Sequence, residues 1–317
     1  YTLPVARGFS RFGTFPIFIT IFITGLVRGI LMPAHTAFLG QLVPRSKLAS
    51  AATWSSTNWQ VGAVVGPAIG GLVYGFAGVA PAYSTVFIFY VMAFILIMKI
   101  RASGRLLSPS ENGESMFSRI REGVQFVFRN QVLLGALSLD MFAVLFGGTV
   151  AILPVFASDI LHTGPQGLGI LRACPAIGAI LMSIALTARP PVNRSGLKMM
   201  FGVGVFGICM ILFAISTHFY FSCFVLLLSG AMDNISVVIR ASVLQLFAPD
   251  EVKGRVAAVN SIFVGSSNEL GAFESGLAAR LMGLVPSVIF GGTMTLMAVG
   301  IAMKKAPRLR DLSLSKI

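Results

Sequence analysis

GRVAAVNSIFVGSSNELGAFESG, residues 254–276, lies largely within the segment Val256 to Gly283, which is long enough to cross a bilayer as a helix. About 20 predominantly apolar residues suffice for such a span. Yet Glu269 and Glu274 sit near its middle and its outer third. A charge at the centre of a spanning helix costs roughly 2.5–3.5 kcal/mol on insertion scales. Such groups persist where they face a bundle interior or a watery cavity, or where they take up a proton.

Most of the rest of the chain is apolar too. Of its 317 residues, 56% are hydrophobic and only 11% are charged, too few polar groups to coat a water-soluble body of that size. Nine nearly uncharged runs of span length are predicted, at about 14–42, 50–77, 83–100, 131–157, 168–188, 199–216, 220–247, 256–283 and 285–303. The expected class is an all-α membrane protein with about nine transmembrane helices and the lipid bilayer as its surroundings.

The net charge of +13 raises the question of nucleic acid, and the placement of the charges answers it. Arg45 and Lys47, the group from Lys99 to Arg129, Arg189 to Lys198, Lys253 and Arg255, and Lys304 to Lys316 fall in alternate connections. The intervening connections, around 78–82, 158–167, 217–219 and 284, contain no Lys or Arg. This is the positive-inside alternation, so the charge reports topology and no nucleic-acid partner is expected. The C-terminus is predicted to be cytoplasmic, and nine spans place Tyr1 outside, with Arg7 and Arg11 a mild exception to the charge rule. The chain opens without Met or a signal peptide, so a fragment lacking upstream spans is expected.

Cys174, Cys209 and Cys223 fall within spans without metal or CxxC spacing and read as small packing residues. His35, His162 and His218 are isolated. No metal site, cofactor or catalytic group is expected.

Within the first span, Gly25, Arg28, Gly29 and Pro33 mark a break that either lines a cavity or is an ordinary kink. The second span carries GAVVGPAIGG, with Gly62, Gly66, Pro67, Gly70 and Gly71. Glycines 62, 66 and 70 recur every fourth residue and predict one bare stripe for close approach of another helix, with a bend at Pro67. The long polar segment Arg101 to Asn130 begins as a flexible linker. From Ser115 to Arg129, Phe117, Ile120, Val124 and Val127 fall at helical spacing among Arg119, Arg121 and Glu122, which predicts a helix on the cytoplasmic membrane surface.

Residues 24–72 also align without a gap on 229–277, a shift of 205. Gly25 meets Gly230, Pro44 meets Pro249, Ala52 meets Ala257, Ser56 meets Ser261, Gly66 meets Gly271 and Gly71 meets Gly276. A parallel repeat fits two halves related by an axis along the membrane normal. Arg28 falls on Asp233, while Glu269 and Glu274 fall on Val64 and Ile69.

The span count, the cytoplasmic linker, the repeat and GAVVGPAIGG together resemble the major facilitator superfamily. The glycine-proline segment resembles the antiporter motif of that family's fifth helix, and the span with Arg28 resembles its fourth. The resemblance implies helices four to twelve: residues 1–100 as the remainder of an N-terminal bundle, 101–130 as a linker with an amphipathic helix, 131–303 as a C-terminal six-helix bundle and 304–317 as a basic tail. Asn193-Arg194-Ser195-Gly196 is a degenerate echo of the family's loop motif, with Asn in place of the usual acid. The span of Asp140 and the string from Asp233 through Glu274 are similar to the branch that holds the enterobactin exporter and related drug/proton antiporters.

On that architecture helices four, seven and ten line a central cavity, and five, eight and eleven flank it. Arg28, Asp140, Asp233 and Arg240 then fall on lining helices, and Arg172, Glu269, Glu274 and Arg280 on flanking ones. Asp233 and Arg240, two turns apart with Asn234 and Ser236 nearby, form either a polar lining for substrate or an internal salt bridge. Asp140 is either a proton carrier or a helix–helix contact. Of the two glutamates, Glu269 is the deeper, and Glu274 has Arg172 as a possible partner.

The expected function is proton-coupled export of a small amphiphilic or siderophore-like solute by alternating access. The transporter would act as a monomer in a bacterial inner membrane. Proton coupling would fall to Asp140, Asp233, Glu269 and Glu274, and the substrate cavity to Arg28, Asn234 and Arg240. The alternatives are a lysophospholipid or lipid flippase on the same fold, or a membrane-bound acyltransferase, whose required loop His/Asp or Ser/His arrangement is absent.

Overall fold

The computed structural model describes residues 18–27, 48–100, 116–148, 151–249 and 252–314, with single positions 31, 38 and 42. All regular structure among them is helical. In lipid only a helix satisfies every backbone group within one apolar segment, and these sequences leave no other choice.

The helices are α1 (Phe18–Val27), α2 (Leu48–Ala77), α3 (Val79–Met98), α4 (Met116–Arg129), α5 (Gln131–Gly147), α6 (Leu153–Asp159), α7 (Pro165–Ala188), α8 (Ser195–Ala214), α9 (Phe219–Phe247), α10 (Lys253–Met282), α11 (Leu284–Lys305) and α12 (Pro307–Arg310). Five of them, α3, α7, α8, α9 and α11, are long and apolar enough to cross a membrane. Helices α2 and α10, at 30 residues each, reach about 45 Å and are long enough, though diluted by polar residues. The predicted span at 131–157 is two helices: α5 stops at Gly147 and α6 resumes at Leu153, with Pro154 in its first turn. Most of the predicted first span, Arg28 and His35 included, lies outside the described residues.

Two compact units partition the chain. One comprises residues 1–58 and 95–113, and the other residues 59–94 and 114–317. The second holds nearly all described side chains. In it α9 packs along α7 and α8, α11 along α8 and α5, and α10 along α5 and α4.

Glycines set these crossings. A Cβ at Gly178 of α7 would fall on the Leu227 carbonyl of α9, and one at Gly230 of α9 on the Pro175 carbonyl of α7. Gly207 and Gly292 make a similar contact between α8 and α11. Bare backbone lets helices meet closely where lipid offers no hydrophobic driving force. Large side chains fill the remainder: Phe156, Phe213 and Leu226 in one core cluster, and Leu133, Met199 and Ile239 in another. Helix α3 has no buried residue, and its Phe87, Tyr90 and Phe94 are exposed, a surface suited to acyl chains.

The repeat seen in sequence recurs in the helix bounds. Shifted by 205, α2 from Leu48 to Ala77 falls on α10 from Lys253 to Met282, end on end. Gly78 follows α2 at φ +88°, and Gly283 follows α10 at φ +92°. The Gly78 N–H donates to the Tyr74 carbonyl at 3.0 Å, and the Gly283 N–H to the Ala279 carbonyl at the same distance. Positive φ is where glycine is the default residue. The same turn therefore closes both copies.

Residues from Met116 on form helix α4, with Val127 buried in the protein core and Arg121, Gln125 and Arg129 exposed. Its Arg121–Arg129 stretch meets α5 at 100°. Asn130 makes the corner: its side-chain oxygen accepts from the Val132 and Leu133 N–H groups at 3.0 and 3.2 Å, capping α5.

The basic C-terminal segment is also docked. Leu309 is fully buried against Gly135 and Gly196, and the Gly196 N–H donates to the Leu312 carbonyl at 3.2 Å. The Leu314 N–H donates to Ser195 Oγ at 3.3 Å. The Asn193–Gly196 motif thus seats the end of the described chain.

Candidate functional site: polar side chains within the bundle

On α5, Leu133, Ala136, Leu137, Asp140, Ala143 and Gly147 are buried and recur at three- and four-residue intervals. Asp140 therefore lies on the stripe that the apolar residues drive inward. It is 3% exposed, and a buried carboxylate needs a partner. Arg240 of α9, 8% exposed, supplies it: a guanidinium nitrogen of Arg240 pairs with Asp140 Oδ2. Ser236, one turn before Arg240, donates its Oγ hydrogen to Asp140 Oδ1 at 3.3 Å. Two residues four apart on α9 thus hold one carboxylate from α5.

Asp233 does not take part. Of the two alternatives for Asp233 and Arg240, the salt bridge along α9 is not made, because Arg240 reaches across to α5. Seven residues of helix rise about 10.5 Å, whereas Asp140 lies directly opposite. Asp233 is half-buried, with no ion pair or hydrogen bond among the described residues. Asn234 faces α7, where its side-chain oxygen accepts from Ser183 Oγ at 3.0 Å. It is 8% exposed and, among the described residues, makes a helix–helix contact instead of lining an open space.

On α10, Glu269 is exposed and Glu274 is half-buried. Ser275, beside Glu274, donates to the Gly148 carbonyl at the end of α5 at 2.8 Å. A Cβ at Gly271 would lie 2.9 Å from the Leu145 carbonyl, so α10 meets α5 closely along this stretch. Arg172 is exposed on α7 and makes no ion pair with Glu274 among the described residues. Arg28 lies outside the described residues.

The glycine-proline segment of α2 is read differently in three dimensions. A Cβ at Gly62, Gly66 or Gly70 would meet nothing within 4 Å among the described residues. The close approach is made one position on. A Cβ at Gly71 would lie 2.8 Å from Gly169 Cα and 3.0 Å from the Pro165 carbonyl, and one at Gly169 would lie 2.9 Å from the Pro67 carbonyl. Gly75, the next residue on that stripe, would strike the Gln166 side chain. The stripe touching α7 is thus Pro67, Gly71 and Gly75.

Sequence reading missed the Asp140–Arg240 pair and the roles of Ser183 and Ser236. One signal was available. Asp140 lies nine residues from the start of α5 and Arg240 seven from the end of α9, so the two share a depth.

The model of the transmembrane secretion effector family, within the major facilitators, matches residues 3–314. Among characterised relatives, the enterobactin exporter EntS of Salmonella typhi is 24% identical over 282 residues, covering 87% of this chain and 67% of the relative. The enterobactin exporter EntS of Shigella flexneri is 22% identical over 292 residues, 91% of this chain and 68% of the relative.

Proposed function

Because the chain belongs to the transmembrane secretion effector family of the major facilitators, and is thus a multi-pass membrane transporter and not an enzyme, we propose that it exports a small amphiphilic, siderophore-like solute in exchange for protons. Alternating access of two helical halves across a bacterial cytoplasmic membrane is the mechanism this reading implies, with the C-terminus on the cytoplasmic side. The enterobactin named for the relatives supports the solute class.

The observation that carries the proposal is the distribution of ionisable groups. Interior Asp, Glu and Arg residues sit in α5, α7, α9 and α10, while the interiors of α3, α8 and α11 have no Asp, Glu, Lys or Arg. Charge is tolerated in a membrane bundle chiefly where it serves a pathway or is paired. Asp140 and Arg240 are paired and buried, so their part is to hold α5 and α9 in register. Proton traffic falls in this reading to Asp233, Glu269 and Glu274, on their depth within α9 and α10, and solute contact to Arg28. The segment from Gly62 to Gly71, which meets α7 at Pro67 and Gly71, would seal one side of the transporter.

The test is pH-gradient-driven efflux from cells or inverted vesicles bearing the protein. Glu269→Gln abolishes gradient-driven efflux with expression intact; unchanged transport removes Glu269 from the mechanism. Movement that persists in a proton uncoupler and depends on lipid headgroup would replace the antiporter with a flippase.

A further inference from the structure

We infer that the recess at the α4–α5 corner binds the phosphate headgroup of an anionic phospholipid of the cytoplasmic leaflet. The cavity measures about 510 Å³ and is lined by Arg129 at the end of α4, Gln131 and Val132 at the start of α5, Arg308 of α12, and the rings of Phe126 and Phe247. Asn130 completes its wall.

Three features of the lining select this ligand. The first is unspent positive charge. Arg255 and Arg310 have acidic partners in Glu122 and Asp311. Arg129 and Arg308 have none among the described residues, and both are exposed. Two guanidiniums converging on one recess suit a phosphate, whose oxygens they match in forked geometry.

The second is the apolar wall. Phe126, Phe247 and Val132 give a free inorganic anion nothing, whereas the glycerol and first methylenes of a lipid would lie against them. The third is position. Helix α4 meets α5 at 100°, so if α5 crosses the bilayer α4 lies along its surface, at headgroup level. A polar corner with Asn130 and Gln131 beside exposed Phe128 is such a boundary.

The leaflet assignment rests on the cytoplasmic orientation proposed above; the binding chemistry does not. Anionic lipid of that leaflet attracts basic groups near the surface by an amount equivalent to about fivefold in affinity for each.

The experiment is native mass spectrometry of the purified full-length protein in detergent, titrated with phosphatidylglycerol or phosphatidylcholine. Wild type should retain phosphatidylglycerol preferentially, and R129Q and R308Q should each lower its retention about fivefold. The exposed pair K304Q/K305Q, outside the recess, should change it far less while removing the same charge as R129Q/R308Q. Equal retention of the two lipids by wild type, or equal losses in the two double variants, overturns the site. Displacement of the lipid by millimolar inorganic phosphate overturns the lipid assignment and leaves a free-anion site. Melting temperatures matching wild type exclude misfolding of the variants. Detergent binding is blind to sidedness, which labelling of Ser313→Cys in spheroplasts and inverted vesicles reads separately.

Discussion

Asp140 and Arg240 close an ion pair between α5 and α9, with α6, α7 and α8 intervening in the chain, and Ser236 completes the carboxylate's shell. Both side chains are nearly inaccessible. The pair explains how a span can carry an aspartate at its packed face.

Breaking the pair from one side should be severe. Asp140→Asn or Arg240→Gln leaves one buried group uncompensated, which costs about 3–5 kcal/mol where such pairs have been dissected. The variant Asp140→Leu/Arg240→Met should recover most of that loss. Thermal unfolding of the purified protein in detergent checks both. If the single and double variants melt together, the pair has no structural role.

Gly71 and Gly70 are neighbours with opposite expectations. Gly71→Val places methyl groups on Gly169 and the Pro165 carbonyl and should destabilise the α2–α7 contact by about 1–3 kcal/mol. Gly70→Val meets open space among the described residues and should be neutral within about 0.5 kcal/mol. Disulfide cross-linking between cysteines placed at the two helix faces would show loss of proximity in the first and not in the second.

Leu309, in the basic C-terminal segment, is fully buried, so Leu309→Ala should cost about 2–5 kcal/mol, as for other large-to-small core changes. Differential scanning of the variant in detergent checks it. Exposed Lys304→Ala should fall within about 0.5 kcal/mol of wild type.

The neighbouring Asp311 carboxyl is held below the usual carboxylate range by its hydrogen bond from Arg310. A lowered folded value means that the contact persists as pH falls through the ordinary range and is lost only below it. Arg310→Gln should raise the Asp311 titration midpoint, measurable by carboxyl-carbon NMR on a selectively labelled sample.

Helix α4 docks on α10 through a backbone approach and an ion pair of unequal weight. A Cβ at Gly123 would lie 2.9 Å from the Arg255 carbonyl, and Glu122 pairs with Arg255 at the partly exposed edge. Glu122→Gln should cost at most about 1 kcal/mol, less in high salt. Gly123→Leu should detach the helix, read as faster amide exchange over 121–129.

Much of this was legible beforehand because bilayers impose a simple rule on sequence. Span after span of apolar residues, alternating basic connections and the 205-residue shift led to the all-helical fold, and the amphipathic spacing of Val124 and Val127 located α4. The break between α5 and α6 was not legible in hydropathy, since the residues from Gly147 to Leu153 are uncharged and mostly apolar. Nor was the choice of stripe on α2: Gly62, Gly66 and Gly70 recur at the same four-residue spacing as Pro67, Gly71 and Gly75 and are all glycine, but contact is decided by how α7 lies. The partner of Asp140 was hidden because hydropathy reports depth and not azimuth. Leu309 was masked by the four charged residues around it, which marked that stretch as solvent-facing.

The seating of α4 has a mechanical consequence. Tension arriving through the chain at Met116 does not pass first to α5, because Asn130 bends the path through a right angle and Gly123 rests on the backbone of Arg255. The load is delivered sideways to the foot of α10, the helix that bears Glu269 and Glu274 further along its length. A displacement of α4 would thus be felt at α10 as well as at α5.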